Sequence, residues 1–200
     1  MILSGDEIRQ KQGSDLSISP FCEDQLGPNG YDLTRHNELM VYEEVVLDMR
    51  KPNRMRRIAI PSDGIVLSPN QLYLGRTVEK IESSKYVPMV EARSSVARLG
   101  LFLNLSASFG DVGYSGCWTL EMYAVQPVRI YPGIPICQIL FHEVAGTIRK
   151  YESGKYQQAE DIQPSLIHRE LNPNAEDEEM QMELPFAITR HSRKVRVAKG

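Results

Sequence analysis

Apolar and polar residues alternate in short stretches along most of the chain, and glycine and proline residues separate these stretches. A period of two residues is typical of half-buried β-strands. The stretches that predict strands are 16–20, 40–47, 57–60, 71–77, 117–125, 128–131 and 136–142. Because many short strands follow one another with turns between them, the pattern predicts a mainly β domain built as a sandwich or a barrel.

Two stretches predict helices instead. Residues 4–12 are expected to form a short N-terminal helix, because Ser4 can cap it and Glu7 can complete a capping box. Residues 93–99 suit one or two helical turns. Neither stretch changes the prediction of a mainly β fold.

The composition changes near the C-terminus. An acidic run at 176–179 is followed by a basic stretch at 190–199 that contains no acidic residue. Charge runs of this kind are typical of solvated tails. We therefore expect one domain over residues 1–170 and a mobile tail over residues 171–200.

The charge and the cysteines argue against several classes of function. A net charge of −3 gives no sign of a general nucleic-acid coat, so any binding of a polyphosphate must rely on a local basic cluster. Cys22, Cys117 and Cys137 include no CxxC pair, which argues against a disulfide framework and a cysteine-rich zinc site. No apolar run approaches the ~20 residues of a membrane span, and the first residues lack the layout of a signal peptide. We expect a cytoplasmic protein without a membrane partner.

The densest polar segment spans residues 91–100. Arg93 and Arg98 bracket Ser94 and Ser95 near a predicted helix start. Guanidinium forks, hydroxyl groups and helix N-terminal amides are the groups that bind phosphate oxygens. A solvated helix start with an ordinary arginine pair explains the segment equally well, so both interpretations stay open at this point.

A second segment, residues 106–116, predicts a tight hairpin because it contains three glycines. Glycine lets the backbone approach a ligand closely. Asp111 can accept a hydrogen bond from a sugar hydroxyl, and Tyr114 can form a wall beside the sugar. A plain β-turn is the alternative interpretation.

The next segment, residues 117–123, places an acid inside an apolar strand. Alternation puts Thr119, Glu121 and Tyr123 on one face of that strand. If this face points inward, burial raises the pKa of the Glu121 carboxyl toward the range in which a general base also works as an acid. A solvent-facing glutamate on a one-sided sheet is the alternative interpretation.

Residues 151–158 follow the last predicted strand and carry a lysine, two tyrosines and two glutamines. This composition suits a flap that closes over the phosphates and the base of a nucleotide. It suits a solvated polar loop equally well, and composition alone does not separate the two.

In their order along the chain, these segments resemble the dCTP deaminase branch of the dCTP deaminase/dUTPase superfamily. The most specific likeness is the string RSSVARLG at 93–100, followed by TLE at 119–121. Further agreement lies at 27–33, 131–133, 137–139 and 154–157, and the likeness covers residues 1–168.

The resemblance implies a fold, an assembly and a reaction. The family fold is a distorted β-barrel or jelly roll of the dUTPase-like kind, and three subunits form a homotrimer that shares three active sites. The implied reaction is hydrolysis of dCTP to dUTP and ammonia. This reaction supplies dUTP and dUMP for thymidylate synthesis. Mg²⁺ accompanies the triphosphate of the substrate and is not held by protein ligands alone.

The resemblance also assigns roles to individual residues. Glu121 matches the carboxylate that activates water for attack on C4 of cytosine, and Arg98 matches the arginine beside the base and that water. Ser94 contributes to the same site, and the carbonyl of Ala107 orients the water. The matches for substrate binding are Arg93, Ser95, Asp111, Tyr114, Thr119, Gln138, Tyr151, Lys155, Tyr156 and either Gln157 or Gln158.

The histidines give no zinc signature. Zinc-dependent base deaminases carry H-x-E together with P-C-x-x-C, and none of the four histidines begins that pattern. We therefore expect no zinc, and we expect a carboxylate and positioned dipoles to activate the water, which agrees with Glu121.

The chain departs from the family pattern in three places. The usual Asp-Pro-Gly of the hairpin is Asp111-Val112-Gly113 here, and Phe109 stands where a basic residue can occur. Residues 158–163 are acidic and lack the usual glycine. These departures concern the geometry of the hairpin loop and the closure of the flap at residues 151–158.

Other functions stay open as alternatives. Asp111 is shared with diphosphatases, so the alternative is a dUTP diphosphatase or a bifunctional enzyme that converts dCTP to dUMP. Glu121 favours deamination, since relatives with only the diphosphatase activity often lack an acid there. A regulatory nucleotide sensor is a further alternative, and the combination of Arg98, Ser94 and Glu121 argues against it.

Residues 181–186 (QMELPF) resemble the short Gln-x-x-Leu-x-Phe peptides that dock on the bacterial sliding clamp. Such peptides bind through apolar anchors, with modest affinity because the segment must be ordered. A chance match, or a strand that packs back on the trimer, is the alternative. The basic residues at 190–199 also suit weak contact with nucleic acid.

Overall fold

The computed structural model of the protein describes residues 1–152 and 154–172. The strands are β1 (Leu16–Ser19), β2 (Tyr31–Thr34), β3 (Glu38–Tyr42), β4 (Met55–Ala59), β5 (Ile65–Leu67), β6 (Leu72–Ser83), β7 (Tyr86–Ala92), β8 (Leu101–Leu103), β9 (Ser115–Ala124), β10 (Val128–Ile130) and β11 (Pro135–Glu143). The helices are α1 (Gly5–Lys11), α2 (Ser94–Ala97) and α3 (Ile167–Leu171), and Glu23–Gln25 form a turn of 3-10 helix. The prediction of a mainly β fold is confirmed.

Three antiparallel sheets surround one apolar core. The largest has the strand order β4-β3-β6-β9-β8, with β1 paired to the C-terminal end of β6. The second sheet has the order β2-β11-β7, and β10 pairs with β5. Ile81 and Leu120 of the large sheet and Leu33, Ile139 and Phe141 of the second are fully buried in this core. The packed layers fit a jelly-roll-like fold, and no closed barrel forms within the described part of the chain.

Helix α1 agrees with the predicted N-terminal helix. The Ser4 hydroxyl accepts the backbone N–H of Glu7 at 3.2 Å, which confirms the predicted cap. The Glu7 carboxylate lies 3.2 Å from the Lys11 ammonium group, so an ion pair along the helix takes the place of the second half of the capping box.

Strand β3 ends at Tyr42, and the predicted strand at 40–47 is too long. Val45 and Val46 are exposed in the connection to β4. The Glu44 carboxylate explains the early end, because it accepts the backbone N–H of Arg54 at 3.1 Å. One backbone bond, from the Glu43 N–H to the Arg54 carbonyl at 3.1 Å, continues past Tyr42. The return bond from the Arg54 N–H goes to the Glu44 side chain instead, and the regular ladder ends there.

Strand β7 did not stand out in the sequence, because Pro88 lies in its middle. The sheet order explains why a proline is tolerated: β7 is the edge strand of its sheet, with β11 as its one strand partner. The end of β7 leads directly into α2, so this strand places the RSSVARLG segment.

The segment between β8 and β9 is a long loop and not the predicted tight hairpin. The N–H of Gly110 donates to the Pro88 carbonyl at 2.8 Å, and the N–H of Gly113 donates to the Ser83 carbonyl at 2.7 Å. A Cβ at Gly110 would lie 2.6 Å from the ring of Trp118. Glycine is therefore required at 110, because the loop backbone lies directly against an aromatic ring.

The C-terminal end of the described chain is α3, which includes Leu171. The predicted mobile tail beyond Asn172 and the predicted clamp-binding peptide at 181–186 lie outside the described residues. Among the described helices, none is both long enough and apolar enough to cross a membrane.

Candidate active site

A cavity of about 560 Å³ opens between β9, the β8–β9 loop and the chain that follows β11. Eight residues that the sequence nominated for the site line this cavity. They are Ala107, Asp111, Tyr114, Thr119, Glu121, Tyr151, Lys155 and Tyr156. The fold thus brings together residues from three separate segments of the sequence.

Strand β9 places Glu121 in the cavity through its alternation. Trp118, Leu120 and Met122 are buried in the core, whereas Thr119 and Glu121 are half-buried and line the cavity. The predicted alternation of faces is therefore confirmed. One face of β9 packs on the core and the other faces a space large enough for a ligand.

Asn104 fixes the backbone of β9 at Glu121. The side-chain oxygen of Asn104 accepts the backbone N–H of Glu121 at 3.1 Å. The backbone N–H of Asn104 donates to the Glu121 carbonyl at 2.9 Å. Asn104 is buried, with a φ of 45° that asparagine tolerates better than most residues. The start of the β8–β9 loop is thereby tied to the position of the acid.

The Glu121 carboxylate has no hydrogen-bond or ion-pair partner within the described chain. Burial alone raises the pKa of this carboxyl above its ordinary value, as the sequence predicts for an inward-facing acid. A carboxylate that is partly desolvated and free of partners can bind and move a proton.

Aromatic side chains form another wall of the cavity. Tyr114 meets Trp118 edge to face with ring centroids 5.8 Å apart, and it meets Tyr151 in the same way at 6.3 Å. The Tyr114 hydroxyl donates to the Cys117 carbonyl at 2.8 Å, and burial raises the pKa of Tyr114. Asp111 lies at the exposed rim of this wall. An apolar wall beside a carboxylate suits a sugar ring and its hydroxyl group.

The structure gives Gln157 and Gln158 structural contacts instead of places in the cavity. The Gln157 side chain accepts the N–H of Ser115 at 2.9 Å and donates to the Gly113 carbonyl at 2.8 Å. The Gln158 side chain accepts from the Lys80 ammonium group at 3.1 Å. These contacts fasten residues 157–158 to the large sheet, and neither glutamine lines this cavity, so the expected role in phosphate binding stays a prediction.

Several cavity residues gave no signal in the sequence. Tyr42, Asn104, Gln163 and Ser165 line the cavity with Glu121. Tyr42 is the last residue of β3, and the three residues before it are all buried, so no alternation in that strand points to it. Gln163 and Ser165 belong to an irregular segment, whose position depends on tertiary contacts that no local pattern encodes.

The residues of the RSSVARLG segment do not line the cavity of their own chain. Ser94 and Ser95 of α2 are exposed, and so is Arg98, which directly follows the helix. Arg93 pairs with Asp32 at 3.1 Å and donates to the Pro135 carbonyl at 3.1 Å. One chain therefore carries two separate groups of nominated residues, one inside a cavity and one on a surface.

Gln138 belongs with the second group. It lies on β11 beside Asp32 of β2, the residue that pairs with Arg93, and it does not line the cavity. Among the described residues, no three His, Cys, Asp or Glu side chains lie close enough together to hold a metal ion.

A family model described as dCTP deaminase-like matches residues 2–144. The chain belongs to this family. The resemblance drawn from RSSVARLG and TLE is thereby confirmed.

Relatives of high identity support the same assignment. A protein of Clostridium acetobutylicum named dCTP deaminase, dUMP-forming, is 56% identical over 171 residues, which are 86% of this chain and 99% of that protein. A protein of Rhodopirellula baltica named dCTP deaminase is 55% identical over 186 residues, which are 93% of each chain.

A solved structure supports the fold. The 2'-deoxycytidine 5'-triphosphate deaminase of Agrobacterium tumefaciens matches with a TM-score of 0.57 at 22% identity. The match covers 72% of this chain and 48% of that chain, so the chain spans about half the length of that protein. At this identity the likeness concerns the fold alone.

Proposed function

We propose that the protein is an enzyme that removes the 4-amino group of dCTP by hydrolysis. The observation that carries the proposal is the half-buried, unpartnered Glu121 carboxylate in the cavity of a dCTP deaminase-like chain. The names of the relatives from Clostridium acetobutylicum and Rhodopirellula baltica support dCTP as the substrate.

Glu121 is the general base and then the general acid of the proposed reaction. Its carboxylate takes a proton from water as the water oxygen bonds to C4 of cytosine, and it passes this proton to N3. Glu121 next carries the proton of the new hydroxyl group to the 4-amino nitrogen. The C4–N bond breaks, ammonia leaves and the C4 carbonyl of uracil forms. Burial supports this shuttle, because a raised pKa makes the carboxyl both a stronger base and a competent acid.

Other cavity residues bind the substrate in this proposal. The carbonyl of Ala107 orients the attacking water, and Asp111 accepts a hydrogen bond from the 3'-hydroxyl of the deoxyribose beside Tyr114. Lys155 and the hydroxyl of Tyr151 contact phosphates. Mg²⁺ arrives with the triphosphate as part of the substrate. Because free deoxynucleotides are the substrates, we expect the protein in the cytoplasm.

A homotrimer with shared sites completes the proposal. Ser94 of α2 and Arg98, which directly follows the helix, are exposed and do not line the cavity of their own chain, although the family resemblance gives them roles beside the base. Rotation about a threefold axis can bring α2 of one subunit to the cavity of the next. The guanidinium group of Arg98 would then supply the partner that the Glu121 carboxylate lacks within one chain.

A second hydrolysis that releases dUMP is the extension that we favour. Asp111 lines the same cavity as Glu121, where it can orient water at the α-phosphate of dUTP. Relatives from Clostridium acetobutylicum and Hathewaya histolytica, at 56% and 55% identity, are named dUMP-forming. We therefore propose dUMP and pyrophosphate, and not dUTP, as the final products besides ammonia.

Incubation of the purified protein with dCTP and Mg²⁺ tests both steps, with ammonia, dUTP, dUMP and pyrophosphate measured separately. We expect equal amounts of ammonia and pyrophosphate. Ammonia with dUTP and without pyrophosphate contradicts the second step alone. Absence of ammonia contradicts the proposed function. A zinc-selective chelator should leave the rate of ammonia release unchanged.

A further inference from the structure

The chain that leads into α3 crosses one side of the cavity. We refer to residues 161–166 as the strap. Gln163, Pro164 and Ser165 of the strap line the cavity that contains Glu121. The shape of this side of the site therefore depends on where the strap lies.

Three hydroxyl groups of the cavity bind the backbone of the strap. The hydroxyl oxygens of Thr119, Tyr42 and Tyr156 accept the N–H groups of Gln163, Ser165 and Leu166, at 2.9, 3.1 and 3.0 Å. All three acceptor residues line the cavity themselves. If the strap moves, these side chains lose their partners, so the position of the strap and the arrangement of the cavity are coupled.

An ion pair outside the cavity holds the first residue of the strap. The Arg57 guanidinium group donates to both carboxylate oxygens of Asp161, at 3.1 and 2.6 Å. Arg57 lies on β4 and also donates to Glu38 of β3 at 3.0 Å, so the pair is built on the large sheet. Ile162 follows directly and is buried against apolar residues of the same sheet. Because the guanidinium group makes two parallel hydrogen bonds to the carboxylate, the pair fixes the orientation of Asp161 as well as its distance from Arg57.

We propose that Arg57 and Asp161 are positioning residues for the deamination of dCTP. Neither residue lines the cavity. They act through the strap, because the ion pair keeps Gln163 and Ser165 in the cavity wall and keeps the three hydroxyl groups in place for the nucleotide. This inference rests on the proposed function.

The variants Asp161→Asn and Arg57→Gln test the proposal, and Asp15→Asn is the matched control. Asp15 pairs with Lys85 at 2.7 Å, and neither residue lines the cavity. We expect Asp161→Asn to raise KM for dCTP about tenfold, with a smaller change in kcat, because Glu121 itself is untouched. Arg57→Gln also removes the pair with Glu38. The double variant should nevertheless raise KM by less than the product of the two single effects, because both changes remove the Arg57–Asp161 pair.

Amide hydrogen exchange gives a readout that needs no turnover. The amides of Gln163, Ser165 and Leu166 should exchange about tenfold faster in Asp161→Asn and at the wild-type rate in Asp15→Asn. If KM and strap exchange in Asp161→Asn equal those of the wild type, the proposal is overturned. A lower Tm with unchanged KM also overturns it, because the pair then serves stability alone.

Two outcomes need a further measurement: an Asp161→Asn variant that does not fold, and a wild-type protein that does not turn over dCTP. If Asp161→Asn does not fold, Arg57→Lys replaces it, because lysine keeps the charge and loses the fork. Arg57→Lys should then raise KM about threefold and speed exchange at the strap, and wild-type values contradict the proposal. A wild-type protein without dCTP turnover refutes the proposed function, whereas the exchange measurement still decides whether the ion pair positions the strap.

Discussion

Glu121 and Arg98 belong to the two most specific motifs of the chain, yet the fold treats them in opposite ways. Glu121 lies in a cavity on a long central strand, with its carboxyl pKa raised by burial. Arg98 lies at the end of a four-residue helix and is exposed to solvent. Among the described residues, no cation pairs with the Glu121 carboxylate, and Arg98 does not line the cavity that contains Glu121.

This difference shows that the fold of one chain separates the acid of the TLE motif from the arginine of the RSSVARLG motif. A single chain can bury an acid at modest cost when one face of its strand is open to a ligand. In this chain α2 lies elsewhere, because it follows the edge strand β7 and packs beside β8. The two regions are opposite in charge, as the shared site that we propose requires.

The largest effect is expected from removal of the acid. Glu121→Gln keeps the shape of the side chain and loses the base, so kcat for ammonia release should fall about 10²- to 10⁴-fold. KM for dCTP should change little, which steady-state kinetics can measure. Glu143→Gln, at the exposed end of β11, is the matched control and should retain activity. Substantial turnover by Glu121→Gln would assign the base to another residue.

A somewhat smaller loss of activity is expected from removal of the Arg98 guanidinium group. Arg98→Ala should lower kcat about 10²-fold by loss of a charge beside the reacting base. The fold of each subunit should be unchanged by circular dichroism, because Arg98 is exposed in its own chain.

Mixing the two inactive variants sharpens the comparison further. Co-expression of Glu121→Gln and Arg98→Ala chains should restore about a quarter of the wild-type activity if each site combines two subunits. Activity that stays at the level of the single variants contradicts shared sites.

The smallest effects concern pH. The native fold raises the pKa of Glu121 above its ordinary value of 4.5, so the acid limb of kcat/KM should lie above that value.

The folded chain also binds this proton more tightly than the unfolded chain, so the contribution to stability is present below 4.5 and is lost as pH rises through the native pKa. Glu121→Gln should therefore have a higher Tm than the wild type at neutral pH. The difference should disappear in acid, and calorimetry at both pH values can measure it.

Part of the site was predictable because it depends on short-range periodicity. In β9, alternation alone separates Thr119 and Glu121 from the buried Trp118 and Leu120, and the structure has the same division. The cap at Ser4 was predictable for the same reason, since a helix start involves only neighbouring residues. Tyr42 and the strap were not predictable, because bonds such as Ser165 to Tyr42 join residues that are 123 positions apart.

The errors have the same origin. The run of Val45 and Val46 looks like a strand, but the Glu44 carboxylate takes the backbone N–H that a longer ladder needs. Strand β7 looks broken by Pro88, and its edge position makes the proline harmless. In the first case a contact between residues ten positions apart outweighs the local preference, and in the second case the place of the strand in its sheet does so.

By itself, the sequence determined the mainly β fold, the face of β9 that carries the acid, and the family, because periodicity and motif strings are properties of neighbouring residues. Only the tertiary structure decided that Glu121 faces a cavity, that α2 does not line it, and that Arg57 pairs with Asp161. Those facts depend on which strand ends meet in space, and packing of the whole core sets that arrangement.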